Sequence, residues 1–424
     1  MTGRASPRWS AASRRGQDSC GGPKKFPAMI LALIAVALAM AAAPAEDARA
    51  SQGTAVVRVD AKVAFEKGQA ALQAGDLDLA EKCFRQVLSV DAGSAAAYAN
   101  LGVIAMRRKD WDGALTLLRK GEHLDAKMVG IRLNIGLVEF RRADYGAAIA
   151  PLSSVVRDQP DSSQARYLLG LCQVLTERYA EAMATLQPLW AERSGDVMYL
   201  YVLGIAAHNA GDTQLDEKAL ARMIEVGGDS PELHLILGKA YLNRLENDKA
   251  IAELERAAAE SPRSPFVHFN LGLAQMRLGG KDELAEQEFR QDIAIEPDLA
   301  DDYAQLGILY AREQKPEDAK KAFTEALQRD PRMAAARFGL AQLYFDKSKF
   351  AAALREADAA AKLAPESQNV HYLRARILGR LGRAAESKTE MAVTQKLMNQ
   401  SLGKARADLG DAAVPNPELT SEPD

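Results

Sequence analysis

A small residue recurs at a fixed interval through most of the chain, and this restricts the folds available to it. Glycine, or alanine in the last two units, returns every 34 residues with a single interval of 35. The positions are Gly68, Gly102, Gly136, Gly170, Gly204, Gly238, Gly272, Gly307, Ala341 and Ala375. Periodicity of this length indicates an array of structural repeats in which each unit contacts its neighbours.

A second small residue predicts the structure of each unit. It follows the first after twelve positions at Ala80, Ala114, Ala148, Ala182, Ala250, Ala319 and Ala353, and after thirteen at Ala285. Apolar residues at helical spacing flank a short polar turn, such as Lys109 and Asp110. Each unit is therefore predicted to be a hairpin of two helices, whose small residues let the axes approach to about 8–10 Å. One hairpin cannot bury its apolar face alone, so the hairpins must stack.

One unit carries the pattern of a known family almost place for place. Its residues are Tyr303, Leu306, Gly307, Tyr310, Ala319, Phe323, Ala326 and Pro331. The pattern resembles the tetratricopeptide repeat family. Ten units follow it, at 61–94, 95–128, 129–162, 163–196, 197–230, 231–264, 265–299, 300–333, 334–367 and 368–398. The resemblance implies an all-α fold, a right-handed superhelical solenoid of about ten helix-turn-helix hairpins.

Three units depart from the family pattern. In the fifth unit Asp216 occupies the place of the second small residue, and Ala219 predicts a longer turn. Gly279 and Gly280 carry the extra residue of the 35-residue unit, and Ser387 replaces the second small residue of the last unit.

The N-terminus is predicted to be an export signal. Residues 1–25 hold six basic residues against one acidic residue, and 26–43 are uncharged. Small residues suit cleavage after Ala45 or Ala50. The alternative is an uncleaved signal anchor, with membrane anchoring only through residues 26–43. With either interpretation, the chain after this segment is expected to be exported. It is then periplasmic, extracellular or anchored in an inner membrane and facing outward.

These patterns predict four regions. Residues 1–50 form the signal peptide or signal anchor, 51–60 a linker, 61–398 the repeat array, and 399–424 a helix end followed by an acidic tail. The tail is predicted to be disordered because it combines prolines with acidic residues and lacks Lys and Arg from 407 onward.

Composition excludes several classes of function. The 54 basic residues nearly balance 57 acidic residues, which disfavours nucleic acid as a partner. Cys83 and Cys172 lie three units apart, so they are expected to be unpaired, buried thiols. His234, His268 and His371 share one place in their units and are expected to be structural, with no metal bound. Catalytic motifs are absent from the sequence, so no catalytic residue, cofactor or enzymatic activity is predicted.

The resemblance implies that first helices line a concave groove, where ligands bind. The fifth and ninth places of the central units form an almost wholly apolar stripe, in which Lys239 is the one charged residue. Its apolar members are Leu133, Leu137, Tyr167, Leu171, Tyr201, Ile205, Leu235, Phe269 and Leu273. They form either an exposed binding stripe or packing between first helices. Amides that can grip an extended peptide backbone recur at Asn100, Asn134 and Asn270. Arginines that can attract carboxylates recur at Arg107, Arg141, Arg277, Arg312 and Arg380, where a solvated helix end is the alternative.

The sequence therefore predicts a non-enzymatic scaffold or adaptor of the cell envelope, which holds a protein or extended peptide in the groove. The alternative is a self-associating structural envelope protein.

Overall fold

The protein is described by a computed structural model over residues 55–411, with side chains from 61 to 402. Every regular element in this range is helical, and the helices form ten consecutive hairpins. The described residues divide into two compact units, 55–226 and 227–411. The all-α repeat fold predicted from the glycine interval is thereby confirmed.

The compact part at residues 55–226 contains five hairpins. The first helix of each is α1 Ala55–Ala74, α3 Ala95–Arg107, α5 Val129–Arg141, α7 Ser163–Leu175 and α10 Val197–Ala210. The second helices are α2 Leu77–Val90, α4 Trp111–Leu124, α6 Tyr145–Asp158, α8 Tyr179–Leu186 and α11 Thr213–Gly227. A 3-10 turn at Gln187–Leu189 and the short α9 Trp190–Arg193 follow α8.

The compact part at residues 227–411 also contains five hairpins. Their first helices are α12 Pro231–Asn243, α14 Val267–Leu278, α16 Ala300–Arg312, α18 Ala334–Asp346 and α20 Gln368–Arg380. Their second helices are α13 Asn247–Glu260, α15 Asp282–Ile295, α17 Pro316–Arg329, α19 Phe350–Leu363 and α21 Ala384–Asp411.

Each hairpin turns through a residue in the left-handed backbone conformation. In nine of the ten hairpins the amide that follows this residue donates to a carbonyl five residues earlier, as Asp110 does to Ala105. This hydrogen bond closes the end of the first helix in a Schellman motif. Glycine occupies the left-handed place at Gly75 and Gly211, but Leu245 adopts it at φ 60°. The turn geometry is therefore common to the array, whereas its residue type is not.

The recurrent glycine lets the first helix lie directly on a large side chain of the second. A Cβ atom on Gly102 would lie 2.6 Å from Cγ of Leu118, and one on Gly238 would lie 2.4 Å from Cγ of Leu254. All eight alanines at the second small place are fully buried. Close approach of the two helices is thus the physical reason for the period.

The departing units are accommodated locally. The predicted longer turn in the fifth unit is wrong, because α11 begins at Thr213 and Asp216 itself fills the buried small place. Its carboxylate lies 3.1 Å from Nδ1 of His208, which satisfies a polar group at an apolar place. Gly279 and Gly280 both have positive φ and lengthen their turn. Ser387 donates to the carbonyl of Ala375 at 2.8 Å and takes the place of the missing alanine.

Two described helices run across the predicted region boundaries, which stay predictions. Helix α1 begins at Ala55, so part of the predicted linker 51–60 is helical. Helix α21 continues to Asp411, beyond the predicted array end at 398. The predicted signal segment and most of the acidic tail lie outside the described residues. Among the helices of residues 55–411, none is both long and apolar enough to cross a membrane.

Candidate functional site

The apolar stripe predicted to line a groove is packed inside the array. Leu273 is half-buried, and the other eight apolar members are at most 8% exposed. Tyr167 packs with its ring centroid 6.4 Å from that of Tyr199, and Arg193 lies 4.2 Å from the same ring. Packing between helices, one of the two interpretations left open, therefore describes these side chains. Their assignment as a ligand-binding surface is corrected on this ground.

The predicted asparagine rungs turn inward as well. The side-chain amides of Asn100 and Asn270 donate to backbone carbonyls of their own helices, four residues earlier, at 2.8 and 2.6 Å. The side-chain oxygens of Asn100 and Asn134 are buried without a hydrogen-bond donor among the described residues. At no more than 4% exposure, these three amides do not present a surface to a peptide.

Three of the predicted groove arginines, Arg107, Arg277 and Arg312, cap helices. Nη1 of Arg107 donates to the carbonyl of Leu72 at 2.6 Å. Arg277 and Arg312 make the same bond, at 3.2 Å, to carbonyls near the end of the preceding first helix. These carbonyls lack partners within their own helix, and a cation near them is favourable. The arginines thus join consecutive first helices, a role that the sequence interpretation did not include.

The three histidines at one common place share a contact within their own hairpins. In each case Nδ1 lies 2.6–2.7 Å from a glutamate of the second helix in the same hairpin. The glutamates are Glu253, Glu288 and Glu390. The free thiols of Cys83 and Cys172 are buried, as also expected. One group of described residues brings three possible metal ligands together, at Asp229, His234 and Glu260.

Two buried carboxylates were missed by the sequence interpretation. Asp292 of α15 and Asp302 of α16 are both 0% exposed, and their side chains meet. Two ionised carboxylates have no hydrogen to share, so the contact is a hydrogen bond only when one is protonated. Burial, followed by the charge of Asp292, raises the pKa of Asp302 to about 9. The available signal was register, because Asp302 occupies the place of Ala97 and Ala336.

First-helix residues become accessible in the last two hairpins. Tyr372 is 47% exposed, whereas its counterpart Phe269 is buried. The guanidinium of Arg376 lies 4.6 Å from the ring centroid of Phe345 and 5.8 Å from that of Tyr372. The guanidinium of Arg380 lies 5.1 Å from the ring of Phe350. We refer to Phe345, Phe350, Tyr372, Arg376 and Arg380 as the C-terminal patch.

The two arginines of the C-terminal patch form no ion pair within residues 61–402. Within residues 61–402, neither Arg376 nor Arg380 lies within ion-pair distance of a carboxylate, whereas nearby Arg374 contacts both Asp358 and Glu390. Burial raises the pKa of Asp346, and the charge of Arg376 opposes this shift. Guanidinium groups held over aromatic rings keep N–H donors directed outward, which suits carboxylate ligands. The sequence interpretation included Arg380 but missed the other four members of this patch, because exposure, and not residue type, distinguishes them.

Comparisons with known proteins were made on sequence and on structure. Two models described as tetratricopeptide repeat match the chain, one at residues 310–389 and one at 65–128, 133–189 and 235–296. Together they cover more than half of the chain. No curated protein matches it significantly.

Several solved structures are similar to the chain. A tetratricopeptide repeat protein from Parabacteroides merdae has 16% identity and a TM-score of 0.43, over 68% of this chain and 99% of its own. The Cut9–Hcn1 hetero-tetramer of APC/C has 16% identity and a TM-score of 0.45, over 87% and 79% respectively. YrrB, a TPR protein with an unusual peptide-binding site, has 17% identity and a TM-score of 0.38, over 41% and 89%.

Proposed function

This chain belongs to the tetratricopeptide repeat family, and we propose that it is a non-enzymatic scaffold that binds an acidic, extended segment of a partner protein. The repeat fold is consistent with protein–protein interaction. The observation that carries the proposal is the C-terminal patch, which combines exposed aromatic surface with two arginines that form no ion pair among residues 61–402.

The chemistry of the patch favours a carboxylate-bearing peptide. Arg376 is oriented by the rings of Phe345 and Tyr372, so less side-chain freedom is lost when it binds. Arginine can grip a carboxylate through two parallel N–H···O bonds. The exposed ring of Tyr372 adds apolar contact area beside the charge. Aspartate or glutamate side chains, or a C-terminal carboxylate, are therefore the expected anchors.

We also propose that binding takes place outside the cytoplasm, in the cell envelope. The support is the order of charges in the sequence, in which six basic residues in 1–25 precede the uncharged residues 26–43. This order is that of an export signal. Fusion of residues 1–60 to a reporter that is active only after export tests this part. A reporter retained in the cytoplasm would contradict it.

The binding proposal is tested with fluorescent peptides of acidic, neutral and basic composition in a polarisation assay. The acidic peptide should bind most tightly, and Arg376→Glu with Arg380→Glu should weaken it by about 10- to 100-fold, the value of one charged hydrogen bond or more. Arg355→Glu is the matched control, because Arg355 is an exposed arginine of α19. Equal affinity of the double variant and the control would refute the assignment of the patch.

A self-associating structural protein is the second candidate, and helix α21 favours it. Met391, Met398 and Leu402 are exposed and lie at intervals that place them on one face of this helix. A second copy of the chain could bury that face. Sedimentation velocity over a range of concentrations tests this, with Met398→Lys expected to shift the chain toward monomer. A monomer at every concentration would eliminate this candidate.

A further inference from the structure

His234 has an environment that differs from those of the other histidines at its place. Its side chain is 5% exposed, and Nδ1 lies 2.6 Å from Oε2 of Glu253. Its other ring nitrogen, Nε2, lies 2.9 Å from Oδ1 of Asp229 and 4.0 Å from Oε1 of Glu260. The imidazole is therefore flanked by carboxylates at both nitrogens.

The equivalent histidines provide an internal comparison. His268 and His371 make the same Nδ1 contact with a glutamate, but their Nε2 atoms lie 2.8 and 2.9 Å from the carbonyls of Pro262 and Pro365. The unit of His234 is preceded by Gly227-Gly228-Asp229-Ser230 and lacks that proline. A neutral carbonyl is thus replaced by two carboxylates at this one histidine.

Charge at the site points to a divalent cation. Three carboxylates surround His234, and Arg256 offsets them with Nη1 3.7 Å from Oε1 of Glu253. A proton on Nε2 supplies one positive charge, whereas a divalent ion supplies two and binds all three groups that converge there. We propose that Asp229, His234 and Glu260 form a binding site for a divalent transition-metal ion such as Zn²⁺.

The donor atoms fit such an ion. One atom from each of the three residues lies within 4.8 Å of the others. Zinc binds imidazole nitrogen and carboxylate oxygen at about 2.0–2.2 Å, so small side-chain movements of the two exposed carboxylates supply three of its four ligands. Glu253 holds the N–H of Nδ1, which directs the lone pair of Nε2 toward the ion. Imidazole selects zinc-like ions over Ca²⁺ or Mg²⁺.

A bound ion would link two parts of the sixth hairpin. Asp229 precedes α12, and Glu260 is the last residue of α13. The site therefore joins the entry and the exit of this hairpin, and it is independent of the C-terminal patch. The expectation that no metal binds rested on the small number of histidines and on the distance expected between His234 and His268, and the present site does not use that pair.

Isothermal titration of the chelator-treated full chain with zinc chloride alone tests the proposal. The expected result is one saturable zinc ion per chain at neutral pH, with proton release as Nε2 is metallated. Asp229→Asn with Glu260→Gln should abolish this binding, and these exposed side chains can be changed without disturbing the core. Glu253→Gln should weaken it by about 10- to 100-fold.

His268→Gln is the matched control, because it removes an equivalent histidine–glutamate contact but leaves the three ligands in place. Zinc affinity equal to that of the unmodified chain is expected for this variant. Unchanged zinc binding in the Asp229 and Glu260 double variant would overturn the site, as would the absence of saturable binding to the unmodified chain. Loss of zinc binding in His268→Gln would also overturn it.

Discussion

Replacing Asp302 by alanine is expected to stabilise α15 and α16, and the gain should grow with pH. Burial, followed by the charge of Asp292, raises the pKa of Asp302 to about 9, from an ordinary value of 3.8. Because the pKa is raised in the folded chain, the contribution of Asp302 to the free energy of unfolding is fully present below pH 3.8. This contribution is lost progressively as the pH rises to 9. The loss is about 1.4 kcal/mol per pH unit, or about 4 kcal/mol at pH 7. Alanine fits this place, as Ala97 and Ala336 show in their units.

The assay must measure local stability, because repeats in an array unfold partly independently and a global free energy is poorly defined. Hydrogen exchange of peptides from α15 and α16, corrected for intrinsic rates, reports the free energy of local opening. The difference between Asp302→Ala and the unmodified chain should increase by about 1.4 kcal/mol for each pH unit above pH 5. Asp298→Ala is the control, because it removes an exposed carboxylate just before α16. A pH-independent difference, or the same trend in the control, would refute the reasoning.

Four further predictions concern single side chains. Gly238→Ala places a Cβ 2.4 Å from Leu254 and should lower stability by about 1–3 kcal/mol through overpacking; an unchanged thermal midpoint would contradict this. Leu245→Gly removes a side chain held at φ 60° and should raise stability by about 1 kcal/mol in the same thermal assay. Burial lowers the pKa of Lys239 to about 8, from 10.5. The contribution of Lys239 to stability is therefore present above pH 10.5 and lost as the pH falls to 8. Lys239→Leu should recover about 3 kcal/mol at pH 7, measured by hydrogen exchange of peptides from α12. Burial raises the pKa of the Cys172 thiol to about 12, so this residue should resist alkylation at neutral pH until the chain unfolds, as mass spectrometry can show.

The glycine period, together with the second small residue and the apolar spacing around it, was sufficient to predict stacked helical hairpins. Its physical origin is steric, because Gly102 or Gly238 admits a leucine of the opposite helix where any Cβ would clash. Register also predicted that His268 is structural, since one place in every hairpin faces the same neighbours. Signals of this kind survive in a sequence because repeated geometry imposes the same restriction in each unit.

Exposure was decided only by the tertiary structure. Tyr167 and Tyr372 occupy the same place in their units, yet Tyr167 is buried and Tyr372 is exposed. Residue type does not distinguish them, because an apolar side chain suits both helix packing and ligand binding. The partners of polar groups likewise depended on residues distant in sequence, as for Arg107 with Leu72 or His234 with Glu260. The sequence alone therefore determined the repeat and its register, and packing between helices decided which of its faces remain available for binding.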